Sequence, residues 1–569
     1  MSLHPRPIAP IPVATARVAR AAFPKGTVAM RIRDEVGVIY QDEQFTSLFP
    51  ARGRTAAAPW RLMLVTLLQF AEDLTDRQAA EAVRSRIDWK YALALSLEDA
   101  GFDASVLSEF RTRLLQEGTE RRLFDTLLDH LKTAGLLNAR GRQRTDSTHV
   151  LAAVRALTRL EVVGETLRQA LNCLAVVAPA WLQAQLQPTW DEWVERYGHR
   201  LTDYRLPRAE PAQVALAEAI GVDGRWLLSA IYDPASPPWL REVPAVETLR
   251  QVWVQQYHAI PAGPADARGP ARQEDPASGT PRWRGDRDLP PASQLIQSPY
   301  DSDARFTTKR ATRWTGYKAH VTETCEPDEP HLIVHVDTTV ATTHDSKVTP
   351  EIHRALAARD LLPSQHLADQ GYVDSELLLT SQETFGVTLL GPVPADQSWQ
   401  ALAAEGFAIT DFAIDWDTNT VRCPQGKQST GWCPATDQYG DPVIHVNFGR
   451  TECAACPSRA RCTRSTTTGR KLTVRPRPKH EALVAARHRQ TTAAFGVEYA
   501  RRAGIEGTLA QGTRRFGLRH ARYRGLPKTR LQHVLTALSM NLVRLVAWFG
   551  DPTHSQVQPS RFVALAAAA

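Results

Sequence analysis

The stretch Gln143-Arg144-Thr145-Asp146-Ser147-Thr148-His149-Val150 sets a single carboxylate, Asp146, among β-branched and hydroxyl side chains, a composition that reads as a short strand. An acid in mid-strand is costly to bury unless a cation offsets its charge, so the position marks either a metal site or a solvated edge. One Asp decides nothing. Two more acids, Asp369 and Glu506, are candidates to share such a metal site.

The segments around these acids suggest how they could meet. After Asp146, strand patterns resume only near Ser298, at 317–324 and 331–339; a helix follows over 351–358, and a short strand over 366–368 ends at Asp369. A mixed sheet of that order brings the first strand next to the fourth, and so Asp146 next to Asp369. Asp337, inside the third strand, and Asp345, placed like a helix cap, compete for the second role but rank behind Asp369.

A chain of 569 residues is too long for one core, and three or four domains are expected. Residues 1–44 read as a flexible basic arm, because the first acid comes only at Asp34 and Pro and Arg are frequent. Residues 45–135 read as a helical domain: Pro59-Trp60-Arg61 opens an apolar run, Thr75-Asp76-Arg77-Gln78 fits a capping box, and Val106, Leu107, Phe110 and Leu114 fall at helical spacing. Short helices with interspersed Arg suit a helix-turn-helix DNA reader, although most small bundles are not DNA readers. The sheet domain is discontinuous, comprising 140–155, 298–400 and 478–550. A helical insertion spans 156–297 and ends in a disordered linker rich in Pro, Gly, Arg and Asp. Residues 401–477 form a Cys-rich insertion, and 551–569 a tail.

The Cys-rich insertion contains Cys453-Ala-Ala-Cys456, then Cys462, with Cys423 upstream in Cys423-Pro-Gln-Gly426. Four thiolates are enough for a tetrahedral structural Zn2+ site, with Cys433 the alternative to Cys423; structural zinc is the favoured reading and reduced, unliganded thiols the alternative. Further on, Tyr499, Arg502 and Glu506 lie at i, i+3 and i+7, which puts them on one face of a helix, or on an ordinary ion-paired surface. The segment from Arg514 to Gly525 interleaves Arg514, Arg515, Arg519, Arg522 and Arg524 with Phe516 and Tyr523, a pattern suited to nucleic acid. Lys309 and Arg310 add cations ahead of the second strand.

The net charge of +7 and pI near 9.1 agree with an anionic partner. Seven Cys, an odd number, point to reduced thiols in a cytosol rather than a disulfide framework. No apolar run reaches the roughly 18 residues of a membrane span, so a soluble cytoplasmic protein is expected.

Thr-Asp146-Ser-Thr, Ala-Asp369-Gln-Gly-Tyr, and Tyr499-x2-Arg502-x3-Glu506 with the following Arg-Tyr-Arg-Gly resemble DDE transposases of bacterial insertion sequences. The similarity runs from about Phe45 to Trp548 and is closest to insertion sequence family 1182, which carries a similar Cys-Pro-x-Gly and Cys-x2-Cys-Pro insertion. The resemblance implies an α/β, RNase H-like catalytic core flanked by helices, with an N-terminal helical DNA-binding domain. It also implies that Asp146, Asp369 and Glu506 are a catalytic triad for two Mg2+ ions, Mn2+ substituting, and that Tyr499 and Arg502 contact element-end DNA. DNA cleavage and strand transfer in a bacterial, nucleoid-associated homodimer follow as expectations, with a catalytically silent, transposase-derived DNA-binding protein as the alternative. One departure is Thr513, where the family has a Lys; Arg514 or Arg515 is the expected substitute.

Overall fold

The computed structural model describes residues 2–116, 118–201, 206–259, 281–403 and 405–550. Within them the chain is a mixed α/β protein built around one six-stranded sheet. The strands are β1 (Arg142–Leu151), β2 (Arg305–Lys309), β3 (Thr312–Thr324), β4 (Ile333–Val340), β5 (Gln365–Ala368) and β6 (Thr388–Leu390). Their order is β2-β3-β1-β5-β6, with β4 along β3. β1 is antiparallel to β3 and parallel to β5, and Thr145 stands opposite Ala368. The expected neighbouring of the two acid-bearing strands is therefore present, and Asp146 and Asp369 each follow the last residue of this parallel pairing.

β2 and β3 form a hairpin across Arg310 and Ala311, with Arg310 at φ 56°. The sequence hides this turn because neither residue is the Asn or Gly that left-handed hairpin positions favour. Gly316 is required where β3 crosses the end of β1: at φ 152°, a Cβ there would stand 2.2 Å from the Val150 carbonyl oxygen.

The free edge of β4 is covered by the helix Leu526–Gly550. Asn541 donates to the Ile333 carbonyl and accepts from its N–H, both at 2.8 Å, replacing a missing strand partner. Ser539 of the same helix donates to Leu67 O in the helix Pro59–Ala71. This is the one helix among the described residues long and apolar enough to cross a membrane. Since 72% of its apolar window is buried against sheet and helices, it serves as a core element.

The sheet and the N-terminal helices share one hydrophobic cluster. The capping box at Thr75 and Gln78 closes as the sequence suggests. The expected flexible arm is a correction: Val13–Ala22 and Val28–Arg31 are helical, Thr27 caps the second, and Ala29, Ile32 and Val36 are buried in the main core while Ala19 and Met30 pack on Tyr91. Pro residues and dispersed Arg conceal the short apolar repeats that dock there.

The helices from Arg159 to Gln256 have a separate cluster with Trp193, Leu227, Leu249 and Trp253 at its centre. Residues 260–280 of the expected disordered linker lie outside the described residues, as does the tail. The remainder of that linker is a second correction. Pro281–Trp283 pairs with Tyr257–Ala259, and Trp283 sits edge-on to Tyr257, its ring supplying the burial that composition alone did not reveal. Residues 407–474 hold a third cluster, with the sheet Gly431–Thr436, Pro442–Asn447 and Lys471–Val474.

Beneath the acid-bearing strands lies a line of buried polar groups. His353 Nε2 meets His366 Nδ1 at 2.8 Å, His366 Nε2 meets Thr145 Oγ1 at 2.6 Å, and His320 Nδ1 meets the Tyr372 hydroxyl at 2.6 Å. Burial pushes the His320 and His353 pKa values down to about 4. These rings stay neutral in the fold but protonate near 6.5 when exposed, so the unfolded chain binds more protons between pH 6.5 and 4, and stability falls as pH drops through that window. Melting at pH 7 and pH 4.5 should show a lower midpoint at the acid value, reflecting a stability loss of up to about 3 kcal/mol per ring; equal midpoints would contradict neutral burial.

Candidate active site

Asp146 and Asp369 open into one cleft of about 680 Å³, whose walls also include Thr148, His149, Lys309, Arg310, Trp314, Lys318, Arg502, Glu506 and Arg519. The carboxylates come from three places: the middle of β1, the residue just past the end of β5, and the first turn of the helix Gly504–Arg515. Asp146 Oδ1 accepts the Ser147 N–H at 2.7 Å, and Asp369 Oδ1 accepts that of Gly371 at 2.9 Å. Burial pushes the Asp146 carboxyl above its ordinary pKa; Arg502 acts against this, and the charge of Asp369 adds to it. Two carboxylates that line one cleft and act on each other by charge call for a cation.

The structure supplies Arg502. Its Nη2 lies 2.5 Å from Asp146 Oδ2 and its Nη1 3.4 Å from Glu506 Oε1. Among the described residues, no group of three or more His, Cys, Asp or Glu side chains is arranged to hold a metal ion. The donor chemistry, hard carboxylate oxygens facing one polar cleft, fits Mg2+ or Mn2+, with the guanidinium standing where such a cation would be attracted.

The single long helix implied by the spacing of Tyr499, Arg502 and Glu506 is interrupted. Tyr499 lies on Ala493–Ala500, stacked on Phe495 at 5.4 Å, and Arg502 lies on the 3₁₀ turn Arg501–Ala503. Arg502 and Glu506 nevertheless line the cleft together, and the charges of Asp369, Asp146 and Glu506 all act on Tyr499.

The basic segment is divided. Arg519 reaches the cleft and donates to Thr148 Oγ1 at 2.8 Å. Arg515 and Arg522 instead donate to the Ala71 and Leu74 carbonyls, and Arg522 pairs with Asp73, so both brace the N-terminal helices. Arg524 packs over Tyr300, and neither it nor Arg514 lines the cleft. Thr513 donates back to Leu509 O in its own helix. The cations that do face the cleft are Lys309, Arg310, Lys318, Arg502 and Arg519, so the expected substitution by Arg514 or Arg515 is not what the geometry provides.

Sequence reasoning missed Lys318, His149 and Trp314. Strand alternation could have placed Lys318, opposite His149 in the register of β1 and β3, on one face with it, but nothing marked that face as the cleft. Of the competing acids, Asp337 pairs with Arg530, whereas Asp345 sits beside Asp369: a Cβ on Gly371 would be 3.1 Å from an oxygen of each. Burial disfavours the Asp345 anion, but Lys318 at 2.9 Å outweighs this and holds the carboxyl below its ordinary value.

The cysteines separate cleanly. Cys423, Cys453, Cys456 and Cys462 line one small cavity of about 30 Å³, while Cys433 is exposed on its strand. Burial raises the Cys462 thiol, and so do the other three sulfurs.

Against known families, residues 422–546 match the model described as Transposase DDE domain, and residues 17–113 match Transposase domain (DUF772). Both matches are to transposase domains. They support a DDE transposase of the insertion-sequence type, a DNA-cleaving enzyme in general terms, with DNA as the implied partner and a general dependence on divalent metal. The DDE match contains Glu506 and the Cys cluster but begins after Asp146 and Asp369, and the other match includes most of the stretch expected as a flexible arm. No curated protein matches the chain.

Proposed function

We propose that this transposase-like chain binds the terminal inverted repeats of an insertion sequence, cuts at the element ends and joins them to target DNA. The reading is supported above all by Asp146 and Asp369, each the next residue after the parallel pairing of β1 with β5, sharing with Glu506 a cleft otherwise rich in cations. A sheet with antiparallel strands first and parallel strands beyond β1 suits an RNase H-like core.

In the first step, water adds to the phosphorus at the element end, the P–O3′ bond breaks, and the leaving oxygen takes a proton to become a 3′-OH. That hydroxyl then adds to a target phosphodiester, whose own O3′ leaves. Asp146, Asp369 and Glu506 are the residues to hold Mg2+, which when bound as a pair stabilises attacking and leaving oxygens of an in-line displacement. Lys309, Arg310 and Arg519 position the phosphate backbone from the cleft wall, and Tyr499 and Arg502 meet the element end. Lys318 keeps Asp345 ionised. The His149 and Trp314 rings, 5.6 Å apart, give the wall a flat surface for a sugar or base.

The test compares Mg2+-dependent cutting of duplexes carrying the element ends with cutting of random duplex by the full chain. End-specific nicks that expose a 3′-OH are expected; equal cutting of both would indicate a general nuclease. A catalytically silent DNA-binding protein is the second reading. The ion pair between Arg502 and Asp146 is what favours it, and no cutting of either duplex would establish it.

Arg519→Ala should weaken DNA binding and reduce the slope of log K against log salt by about 0.9, the share of one phosphate contact. Titrations at several salt concentrations check this, and an unchanged slope would remove Arg519 from the DNA surface.

For the Cys module we propose one structural Zn2+ held by Cys423, Cys453, Cys456 and Cys462, without Cys433. A cavity of this size, lined by four Cys side chains, suits one ion. Elemental analysis should find about one zinc per chain, lost in Cys456→Ser and retained in Cys433→Ser; retention in both would refute the assignment. Because two ends must be joined, the acting form is proposed to be a homodimer, to be checked by light scattering with end DNA.

A further inference from the structure

We propose that Arg502 is a removable counter-ion: in the DNA-free protein it occupies the carboxylates, and DNA draws it away, so that metal loads only after DNA. The inference rests on the proposed catalytic reading and adds an order of events to it. Three observations carry it. Arg502 bridges Asp146 and Glu506, acids from different elements, by its two terminal nitrogens. Its Nε is buried and has no hydrogen-bond partner, so the guanidinium is only partly satisfied where it lies. Asp369 lines the same cleft, so the acids the guanidinium partly neutralises and the third acid share one opening.

The backbone beneath Arg502 is fixed while its side chain is free to choose between partners. Arg144 Nη1 donates to Arg501 O at 2.7 Å, and a Cβ on Gly504 would come within 2.0 Å of that same nitrogen, so the turn is clamped from below. Above it, Lys309, Arg310 and Arg519 bring phosphates into the cleft. A phosphate offers the guanidinium two oxygens in a bidentate geometry and engages Nε, which a single oxygen of Asp146 does not. Once the guanidinium leaves, Asp146 loses its ion-pair partner beside Asp369, and the attraction of the two carboxylates for a divalent cation rises. DNA and metal then bind with positive coupling, which must act equally in both directions. The DNA-free protein is kept from carrying a charged, reactive centre.

Mn2+ is the probe, its free concentration read by electron paramagnetic resonance during titration of the full chain. Without DNA, Arg502→Gln should bind Mn2+ at least about tenfold more tightly than the wild type, a coupling of ordinary allosteric size. An end duplex should tighten Mn2+ binding to the wild type and leave that of Arg502→Gln almost unchanged, with the duplex alone as the control for ions held by DNA. Equal DNA-free affinities, or DNA tightening both proteins alike, would overturn the proposal. If Arg502→Gln does not fold, the wild-type titration with and without DNA decides, since unchanged affinity there is equally fatal. The double variant Asp369→Asn, Arg502→Gln separates the two readings: a return to weak binding keeps the ion in the cleft, whereas tight binding places it elsewhere and sinks the catalytic reading itself.

Discussion

Asp369→Asn is expected to bind element ends about as well as the wild type and to cut them at least about 10³-fold more slowly. The substitution keeps the side chain's shape and leaves Oδ1 able to accept the Gly371 N–H, so the turn after β5 is retained. What it removes is one negative charge beside Asp146. Metal assistance at phosphorus contributes several kcal/mol, and each 1.4 kcal/mol is about tenfold in rate, which sets the size of the loss. DNA affinity should survive, because the cations that meet the backbone, Lys309, Arg310 and Arg519, are untouched. Quantified nicking and binding by gel shift check both halves. Normal cutting in Mg2+ would remove Asp369 from the mechanism.

The largest stability effect is expected at Glu323, a residue far less conspicuous in the sequence. It is fully buried on β3, with Oε1 2.7 Å from Arg144 and Oε2 2.8 Å from Arg544, and it also accepts the Thr508 hydroxyl at 2.5 Å. One carboxylate thus joins the strand beside Asp146 to the helix that carries Glu506 and to the C-terminal helix. Glu323→Ala strands two nearly buried guanidinium groups without a counter-charge, which typically costs about 3–5 kcal/mol. Urea unfolding should show a midpoint lowered accordingly, and any surviving protein should cut poorly because Glu506 loses its support. An unchanged midpoint would show that water reaches both Arg side chains and that the pillar holds nothing in place.

The acid pair was legible because β-strand patterning is local. Asp146 sits within a strand of β-branched and hydroxyl residues, Asp369 just past the end of another that Gly371 follows, and the sheet order follows from few alternatives. What surrounds them was not. Lys318 and Trp314 belong to a hairpin whose turn uses Arg310 in a left-handed conformation, without the usual turn residues. The partner of Asp146 comes from 356 positions away, a pairing no window of sequence contains. The basic stretch after Arg514 shows the converse error. Charge density alone suggested one DNA-binding face, yet Arg515 and Arg522 serve the carbonyl-bearing end of the helix Pro59–Ala71 and the turn after it, because helix ends leave carbonyls that need donors. Likewise the first 44 residues carried too few consecutive apolar positions to predict a docked helix, and their burial depends on Tyr91 and the main core.

The most direct test of the whole account is a crystal of the full chain with an end duplex and Mn2+, measured at the manganese absorption edge. The account expects anomalous density between Asp146 and Asp369, with Glu506 turned toward it and the Arg502 guanidinium on a DNA phosphate. A cleft holding DNA with no manganese, and Arg502 still seated on Asp146, would contradict it.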